Sequence, residues 1–317
     1  MTEHDEQQQT HQQFKHDDAG SYDNVVSHFD RYTRQFTAHL PATILKLADV
    51  PPAGTVLDVG TGTGILALQG ASLNRDISFV GIDLSDGMLK QAAVNAVAEG
   101  IQSRIEFQKM DAENLLFPDA CFDAVVSLYA LHHFPEPAKA LQEMFRVLKP
   151  GAKIVVAVGS APSLFSIDGA KAALRKAGSI WRSVRGRELT ACGFIDGLVE
   201  KYLPAGPARD VTEWVHNKKA FNGSVSDLMA TTGFTHLQAS WKGQYSRIES
   251  SEDFWLLQMT FSSTARKRVQ QADKTKLDDL KTDFYRQCDQ VLKKNGRLVY
   301  QTGAAIVCGV KPVGGSE

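Results

Sequence analysis

Residues 56–64 read VLDVGTGTG, and this stretch decides the fold class. The apolar and β-branched residues before Gly60 predict a buried strand over residues 55–59. The three glycines predict a turn with positive φ angles that lets a bulky ligand approach the backbone. A helix is predicted to begin after Gly64, so that its free N–H groups face that ligand. Asp58 ends the strand two residues before the first glycine.

Strand and helix patterns alternate after this turn. Helices are predicted over 65–73, 88–99 and 138–148, and strands over 77–84, 105–110, 122–128 and 153–158. Because each strand is nearly all apolar, the pattern is typical of a parallel sheet that helices cover on both faces. A helix over 225–232 and strands over 236–244 and 298–310 complete the prediction. The expected fold is α/β, a Rossmann-like, doubly wound sheet of seven strands with helical insertions.

The chain divides into six parts on this basis. Residues 1–21 carry almost no apolar side chains, which predicts a disordered tail. The other parts are N-terminal helices over the ligand site (22–54), a cofactor-binding core (55–159), a helical insertion that could form an acceptor site or lid (160–222), the remaining core strands (223–250 and 295–317) and a second helical insertion (251–294).

Composition limits the partners. The 317 residues are 43% hydrophobic and 22% charged with a formal net charge of −1, which disfavours a dedicated nucleic-acid binder. No apolar run reaches the roughly 18 to 20 residues of a membrane span. The four cysteines form no CxxC pair, which disfavours a zinc site or a disulfide scaffold and favours a reducing compartment. We therefore expect a cytoplasmic protein with no metal site, and an oligomer is possible.

A second acid, Asp83, ends the predicted second strand in the stretch VGIDLS. A carboxylate here can accept two hydrogen bonds from a ribose diol. Its distance from the glycines, about 20 residues, is shared by NAD-binding and S-adenosylmethionine-binding sheets, so Asp83 supports an adenosine ligand without naming it. It could instead be an acid at the start of the helix after Ser85.

Further motifs separate the two ligands. Asp111-Ala112 follows the third strand, FPDACFD leads into the fourth, and LHHF (131–134) and RVLKPG (146–151) follow in order. With the glycine turn and the stretch from Gly81 to Leu89, they resemble the motifs of class I S-adenosylmethionine-dependent methyltransferases. The similarity is to the ubiquinone/menaquinone-biosynthesis type (methyltransferase type 11) and covers roughly residues 22–159. Cys121 and Asp119 replace the small polar residues that many relatives have in a surface turn.

The resemblance implies S-adenosyl-L-methionine as cofactor, S-adenosyl-L-homocysteine as product, and a role for each matched position. Asp58 would hold the cofactor's amino group, directly or through water, and Asp83 would bind the ribose hydroxyls. Asp111 would accept from the adenine amine beside the Ala112 backbone N–H. The remaining implied cofactor residues are the loop positions Gly60, Thr61, Gly62 and Gly64, the adenine neighbours Leu84 and Met88, and the main chain at Leu128. Tyr32, or else Arg31 or Tyr22, could close over the cofactor, although tyrosines on such a helix are usually packed core.

Methyl transfer needs a base only when the acceptor atom carries a proton that must leave. Tyr129, His132 and His133 follow the fourth strand and are the catalytic candidates, with His133 the most plausible base. A structural role for the LHHF segment is the alternative. The acceptor is expected to be a small, partly apolar metabolite methylated on O, N or C. Aromatic residues in the insertions could shape its pocket or form core, and the basic segment WRSVRGR could bind an anionic group or be a solvated helix face.

Two other functions stay open at this point. An NAD(P)-dependent oxidoreductase would have GxGxxG after the first strand, whereas the spacing here is GxGxG. A non-catalytic relative could bind the cofactor, or nothing, and act through partners. A macromolecular acceptor is disfavoured by the neutral charge.

Overall fold

The structure is a computed structural model that describes residues 3–160, 167–204 and 224–314. The chain forms two compact units. The first unit comprises Met1–Gly159, Val211–Ser240 and Ala304–Glu317, and the second comprises Ser160–Asp210 and Trp241–Gly303. Residues 161–166 and 205–222 of the predicted insertion 160–222, together with residue 223, lie outside the described residues.

Helices and strands alternate along the chain as predicted. The helices are α1 (Glu3–Asp23), α2 (Val26–Phe36), α3 (Pro41–Ala48), α4 (Ile65–Leu73), α5 (Asp86–Ala98), α6 (Pro137–Val147), α7 (Ile167–Val184), α8 (Ala191–Tyr202), α9 (Val225–Thr232), α10 (Ser251–Phe261), α11 (Ser263–Gln271) and α12 (Lys274–Lys293). The strands are β1 (Thr55–Val59), β2 (Ser78–Asp83), β3 (Ile105–Lys109), β4 (Phe122–Leu128), β5 (Leu148–Gly159), β6 (Glu188–Thr190), β7 (Thr235–Ile248) and β8 (Arg297–Val310). None of the described helices is long and apolar enough to cross a membrane.

The sheet of the first unit has the strand order β3-β2-β1-β4-β5-β8. The first five of these strands run parallel, and β8 runs antiparallel to β5 with Lys153 opposite Val310. Because the chain crosses from β3 to the other side of β1 to form β4, the strand order reverses between β1 and β4. In open parallel sheets, ligands bind beyond the carboxyl ends of the strands at such a reversal. The fold therefore places the glycine turn after β1 at a ligand crevice, and the α/β prediction is confirmed.

Both faces of this sheet are buried. Successive residues of a strand point to opposite faces, so Val56 packs with α3 and α4 on one side while Leu57 packs with α6 on the other. The same alternation holds for Ala124 and Val125 of β4. This arrangement explains why the strands read as continuous apolar runs and not as alternating ones.

The second unit contains one strand that the sequence did not indicate. β6 pairs parallel with the start of β8, Glu188 opposite Arg297, so the described residues contain eight strands where the sequence predicts seven. A three-residue strand is too short to show a period. The aromatic side chains of Phe194, Phe254 and Phe284 stack on one another in this unit. Since Phe254 and Phe284 are fully buried, these rings form the unit's own core.

The sequence predicts a disordered tail over residues 1–21, but from Glu3 onward the described residues form helix α1. The inward face of α1 is mostly polar, with Lys15, Asp18 and Ser21 buried beside Phe14. These positions recur at steps of three and four residues, which is the spacing of one helix face. The prediction was wrong because it weighed only apolar residues, whereas ion pairs and hydrogen bonds hold this helix to the rest of the unit.

Lys15 is the central residue of that polar face. Its ammonium group donates to Asp111 Oδ2 at 2.8 Å and also to Glu113, whose side chain is itself buried. Burial disfavours the charge on Lys15, but the hydrogen bonds that it donates to the two carboxylates outweigh burial and raise its pKa above the usual value. Glu113 also accepts from the Glu136 backbone N–H at 2.8 Å. The buried charges are therefore paired and hydrogen-bonded.

We predict that Lys15→Ala lowers the free energy of unfolding by about 3 kcal/mol, because it leaves the Glu113 carboxylate buried without its cation. The double variant Lys15→Met/Glu113→Gln should recover most of that loss, since it removes both charges. Denaturant unfolding followed by circular dichroism measures both, with the exposed Lys139→Ala on α6 as the matched control. A Lys15→Ala protein as stable as the Lys139→Ala control would show that α1 is not docked through this pair.

Candidate functional site

Three acids stand at the carboxyl ends of three adjacent strands. Asp58 lies near the end of β1, Asp83 ends β2, and Asp111 follows β3. Asp58 is opposite Gly81 in the register of β1 and β2, and the Met110 backbone N–H donates to the Asp83 carbonyl at 3.1 Å. The fold thus brings the three acids to the same edge of the sheet, beside the strand-order reversal.

The glycine turn joins the ends of β1 and β2. The backbone N–H groups of Gly60 and Thr61 both donate to the Ile82 carbonyl at 2.9 Å. Gly60, Gly62 and Gly64 have φ angles of 70°, 55° and 86°, the region that favours glycine. A Cβ atom at Gly60 would lie 2.2 Å from the Ala130 Cβ, so the backbone of the turn packs directly against the segment that follows β4. Only glycine fits this position.

Asp58 is almost completely buried, and only one of its two carboxylate oxygens accepts a hydrogen bond from the described residues. Its Oδ2 accepts from the Thr61 hydroxyl at 2.7 Å, while Oδ1 has no hydrogen-bond partner among the described residues. Burial raises the pKa of Asp58 to about 7, against the lowering effect of the Thr61 hydroxyl, and the nearby Asp83 carboxylate raises it further. A buried carboxylate oxygen without a donor is costly to the protein alone, which makes Oδ1 a strong acceptor for a cationic ligand group.

Asp83 spans the glycine turn and the start of α5. Its Oδ2 accepts from the Gly62 N–H at 2.9 Å and its Oδ1 from the Ser85 N–H at 3.0 Å. Burial raises the pKa of Asp83, and those backbone donors oppose the rise. Leu84 and Met88 flank it along the chain, and the Met88 N–H donates to the Ser85 hydroxyl at 3.1 Å, so that Ser85 caps α5. The carboxylate that the sequence assigns to a ribose therefore also organises the loop.

Asp111 is bound from both sides. Its Oδ1 accepts from the Glu113 N–H at 3.0 Å and its Oδ2 from Lys15 at 2.8 Å, and the neighbouring Ala112 is buried. Each carboxylate oxygen has a second lone pair, so Asp111 can still accept from a ligand amine. Lys15 sets the position of that carboxylate, and the sequence did not point to this contact.

The segment after β4 carries the three catalytic candidates. Tyr129, next to Leu128 at the end of β4, has a φ angle of 58°, which is an unfavourable backbone conformation for a bulky aromatic residue. Its hydroxyl is buried without a hydrogen-bond partner among the described residues, and burial raises its pKa to about 12. Tyr129 is therefore a neutral phenol that can donate a hydrogen bond. The ring of His132 lies 4.2 Å from that of His133, centroid to centroid.

His133 contacts α1 through both ring nitrogens. Nδ1 lies 3.1 Å from the Asp18 carboxylate, and Nε2 lies 3.3 Å from the Tyr22 hydroxyl. The ring of Tyr22 stands edge-on to that of His133 at 5.6 Å. His133 thus helps to dock α1 next to the three acids, and any proton that it exchanges through Nε2 would pass by Tyr22.

The side chain of Tyr32, the candidate gate residue, contacts neighbours in its own helix, α2. It is buried, its hydroxyl accepts from Arg31 at 2.7 Å, and its ring stacks on Phe36. The aromatic ring nearest the glycine turn in α2 is instead Phe29, since a Cβ atom at Gly62 would lie 3.5 Å from Phe29 Cε1. The structure does not test whether Tyr32 closes over a ligand, so that role stays a prediction.

The residues that the sequence analysis missed come mainly from α1. Lys15 binds Asp111, Asp18 binds His133, and Asp23 accepts from the Ser85 hydroxyl at 2.5 Å and the Gly87 N–H at 2.9 Å. The only signal was their recurrence on one helical face. A search for hydrophobic periodicity does not find that signal, because these side chains are polar.

Comparisons with known proteins find similar sequences for the segment that contains this edge of the sheet. Residues 57–156 match the family model described as a methyltransferase domain. The ubiquinone/menaquinone biosynthesis C-methyltransferase of Geotalea daltonii is 33% identical over 134 residues, which are 42% of this chain and 54% of the relative. The 27-O-demethylrifamycin SV methyltransferase of Amycolatopsis mediterranei is 30% identical over 138 residues, 43% of this chain and 48% of that protein. The chain spans about half the length of these curated relatives.

Among solved structures, the YcgJ protein of Bacillus subtilis is similar with a TM-score of 0.48 and 20% identity, covering 87% of this chain and 99% of that one. The segment that matches the family model begins at Leu57, inside β1, and ends at Val156, inside β5. It includes the three acids and the glycines. This part of the chain matches a methyltransferase domain. It is similar to the ubiquinone/menaquinone biosynthesis methyltransferases.

We predict that Gly60→Ala destabilises the protein more than Gly100→Ala does. Both glycines have nearly the same φ angle, 70° and 69°, but a Cβ atom at Gly100 would meet nothing within 4 Å. Each substitution should cost about 1 to 2 kcal/mol of backbone strain, and Gly60→Ala a further 1 to 3 kcal/mol for its collision with Ala130. Denaturant unfolding of the two variants measures the difference. Equal losses would mean that the turn does not pack on Ala130.

Proposed function

We propose that the chain is an S-adenosylmethionine-dependent methyltransferase that moves a methyl group to an O, N or C atom of a small, partly apolar acceptor. The match of residues 57–156 to a methyltransferase domain supports the reaction class. The observation that carries the proposal is the Asp58 carboxylate, which is buried at the crevice with one oxygen lacking a donor among the described residues.

The cofactor fits that observation. Its methionine end carries a positively charged amino group, and a charge-assisted hydrogen bond from that group would satisfy Asp58 Oδ1. The positive charge would also lower the raised pKa of Asp58 and hold the carboxylate ionised. When bound, S-adenosylmethionine supplies a methyl group on a sulfonium that is already activated for in-line displacement.

The other two strand-end acids would bind the rest of the cofactor. Asp83 has lone pairs left for the ribose hydroxyls after its bonds to the Gly62 and Ser85 N–H groups. Asp111, held by Lys15, would accept from the adenine amine, with Leu84 and Met88 against the ring and Leu128 at the amino-acid end. The backbone of Gly60 to Gly64 would lie along the methionine moiety.

The protein's contribution to catalysis would be mainly to orient the acceptor and to exclude water. A neutral Tyr129 is suited to donating a hydrogen bond and not to acting as base, because its pKa is raised to about 12. For an acceptor that loses a proton, His133 stays the proposed base, with Asp18 on Nδ1 and the Tyr22 hydroxyl next to Nε2. The role of His132 stays a prediction.

The names of two relatives support the proposed acceptor class. One is named a ubiquinone/menaquinone biosynthesis C-methyltransferase and the other a 27-O-demethylrifamycin SV methyltransferase. We propose an acceptor of this partly apolar kind. The predicted insertion 160–222, only part of which the structure describes, and the helices α10, α11 and α12 would determine its identity.

A cytoplasmic location is part of the proposal. Cys121, Cys288 and Cys308 are free thiols among the described residues, as is typical of a reducing compartment. A homo-oligomer is possible, and light scattering of the purified protein would decide it.

The proposed function is tested by thermal shift and by transfer of a labelled methyl group. S-adenosylhomocysteine at about 100 times its dissociation constant should stabilise the protein by about 2.7 kcal/mol, and NAD should not. Labelled methyl should then appear on a quinone or phenol from an acceptor panel. Stabilisation by NAD alone would establish the oxidoreductase instead. Binding of S-adenosylhomocysteine without turnover on any acceptor would favour a non-catalytic relative.

We predict that the affinity for S-adenosylhomocysteine rises about tenfold between about pH 5.5 and pH 7, because the ligand's cation binds the ionised form of Asp58. Below a pKa of about 7 the free protein holds a proton on Asp58 that binding must displace. Above that pH the affinity should level off, since the carboxylate is already ionised. Titration calorimetry at several pH values measures this profile.

Asp58→Asn should bind more weakly and show a flatter profile, while the exposed Asp76→Asn should behave like the wild type. Asp83, whose pKa is also raised, is present in all three proteins, so the difference between profiles isolates Asp58. A slope that persists unchanged in Asp58→Asn would contradict the assignment.

A further inference from the structure

Helix α7 in the second unit carries an exposed apolar stripe. Leu174 and Val184 are 77% and 83% exposed, and Ile180 and Trp181 are each 55% exposed. With the exposed Ala177, these residues follow steps of three and four along α7, so they lie on one face of the helix. Large apolar side chains this exposed and this contiguous mark an interaction surface.

The opposite face of α7 contacts the interior of the second unit. Arg182 and Ser179 both hydrogen-bond the buried carboxylate of Glu188, which also accepts from Arg297 at 2.8 Å. The arginine that the sequence analysis left as either an anion site or a solvated face is thus a structural ion pair. This contact fixes the rotation of α7 and turns the apolar stripe outward.

The sequence that carries the stripe is strongly basic. Between Asp168 and Glu188 the sequence contains six lysines and arginines and no acid. Arg185 places its guanidinium 3.8 Å from the centroid of the Trp181 ring, and Arg185 and Arg187 are exposed. An apolar face with a tryptophan, flanked by arginines, is the composition of helices that lie in the plane of a membrane interface.

The charge pattern favours a membrane surface over a second copy of the chain as the partner of the stripe. Two copies that met through their α7 stripes would bring the same basic flanks together, and like charges repel. An anionic bilayer instead attracts each lysine or arginine near its surface while the stripe enters the boundary of the acyl chains. We propose that α7 docks the protein on anionic lipid bilayers as a peripheral membrane protein. The proposal is independent of the reaction the protein catalyses.

The test is co-sedimentation of the full chain with vesicles. Vesicles of equal parts phosphatidylglycerol and phosphatidylcholine should bind the protein, vesicles of phosphatidylcholine alone should bind it far less, and salt should release it. Trp181 fluorescence should shift to shorter wavelength on binding, and Trp181→Phe should lose that shift.

Matched variants locate the surface. Leu174→Ser/Val184→Ser should weaken partitioning about tenfold, because two apolar side chains no longer enter the interface. Arg185→Glu should weaken it by a similar factor of about ten. Leu73→Ser and Arg75→Glu, which change an exposed leucine and an exposed arginine of the first unit, should leave partitioning unchanged. Circular dichroism confirms that each variant is folded.

Three results would overturn the proposal. In the first, the wild type stays in the supernatant with anionic vesicles. In the second, the two control variants lose partitioning as much as the α7 variants do. In the third, light scattering shows a dimer that Leu174→Ser/Val184→Ser dissociates while vesicle binding is absent, which would assign the stripe to a second copy of the chain.

Discussion

The contact between Gly60 and Ala130 is the constraint on which the rest of the site depends. Because the turn after β1 has no side chain at Gly60, its backbone can lie against the segment that follows β4. The same turn bonds to the Ile82 carbonyl at the end of β2. The ends of β1, β2 and β4 are thereby held together, and Asp58 and Asp83 on the first two have fixed positions. A larger residue at Gly60 would separate the strands that the ligand has to bridge.

Gathering acids at one edge creates an electrostatic cost that the protein resolves with α1. Asp58 is buried, Asp83 is partly buried, and the pKa of each is raised, while Asp111 and Glu113 follow the neighbouring strand β3. Lys15 from α1 binds the last two, while Asp58 keeps one oxygen without a protein donor among the described residues. The protein thus neutralises the Asp111 end of the site itself and leaves the Asp58 end to a cationic ligand. This division accounts for why a polar helix is built over an acidic site.

The sequence predicts the first unit's sheet well because its signal is hydrophobic. The observed bounds of β1 and β4 are the predicted ones, since buried parallel strands are continuous apolar runs with glycine or proline nearby. Asp58 and Asp83 were found through their spacing to the glycines, and Asp111 through the motifs that carry the family resemblance. β6 was missed because three residues show no period, and α1 because its buried face is polar. Lys15 and Asp18 lie about 100 residues from their partners, and no local pattern reports a pairing over that distance.

The central claim is that Asp58 holds the positive amino group of S-adenosylmethionine at the glycine turn. A crystal structure of the protein with S-adenosylhomocysteine tests it most directly, because the product keeps that amino group. The account predicts the amino nitrogen about 2.8 Å from Asp58 Oδ1, with the ribose at Asp83 and Lys15 still on Asp111. A ligand bound away from the turn, or one whose amino group has another partner while Asp58 Oδ1 keeps none, would contradict it.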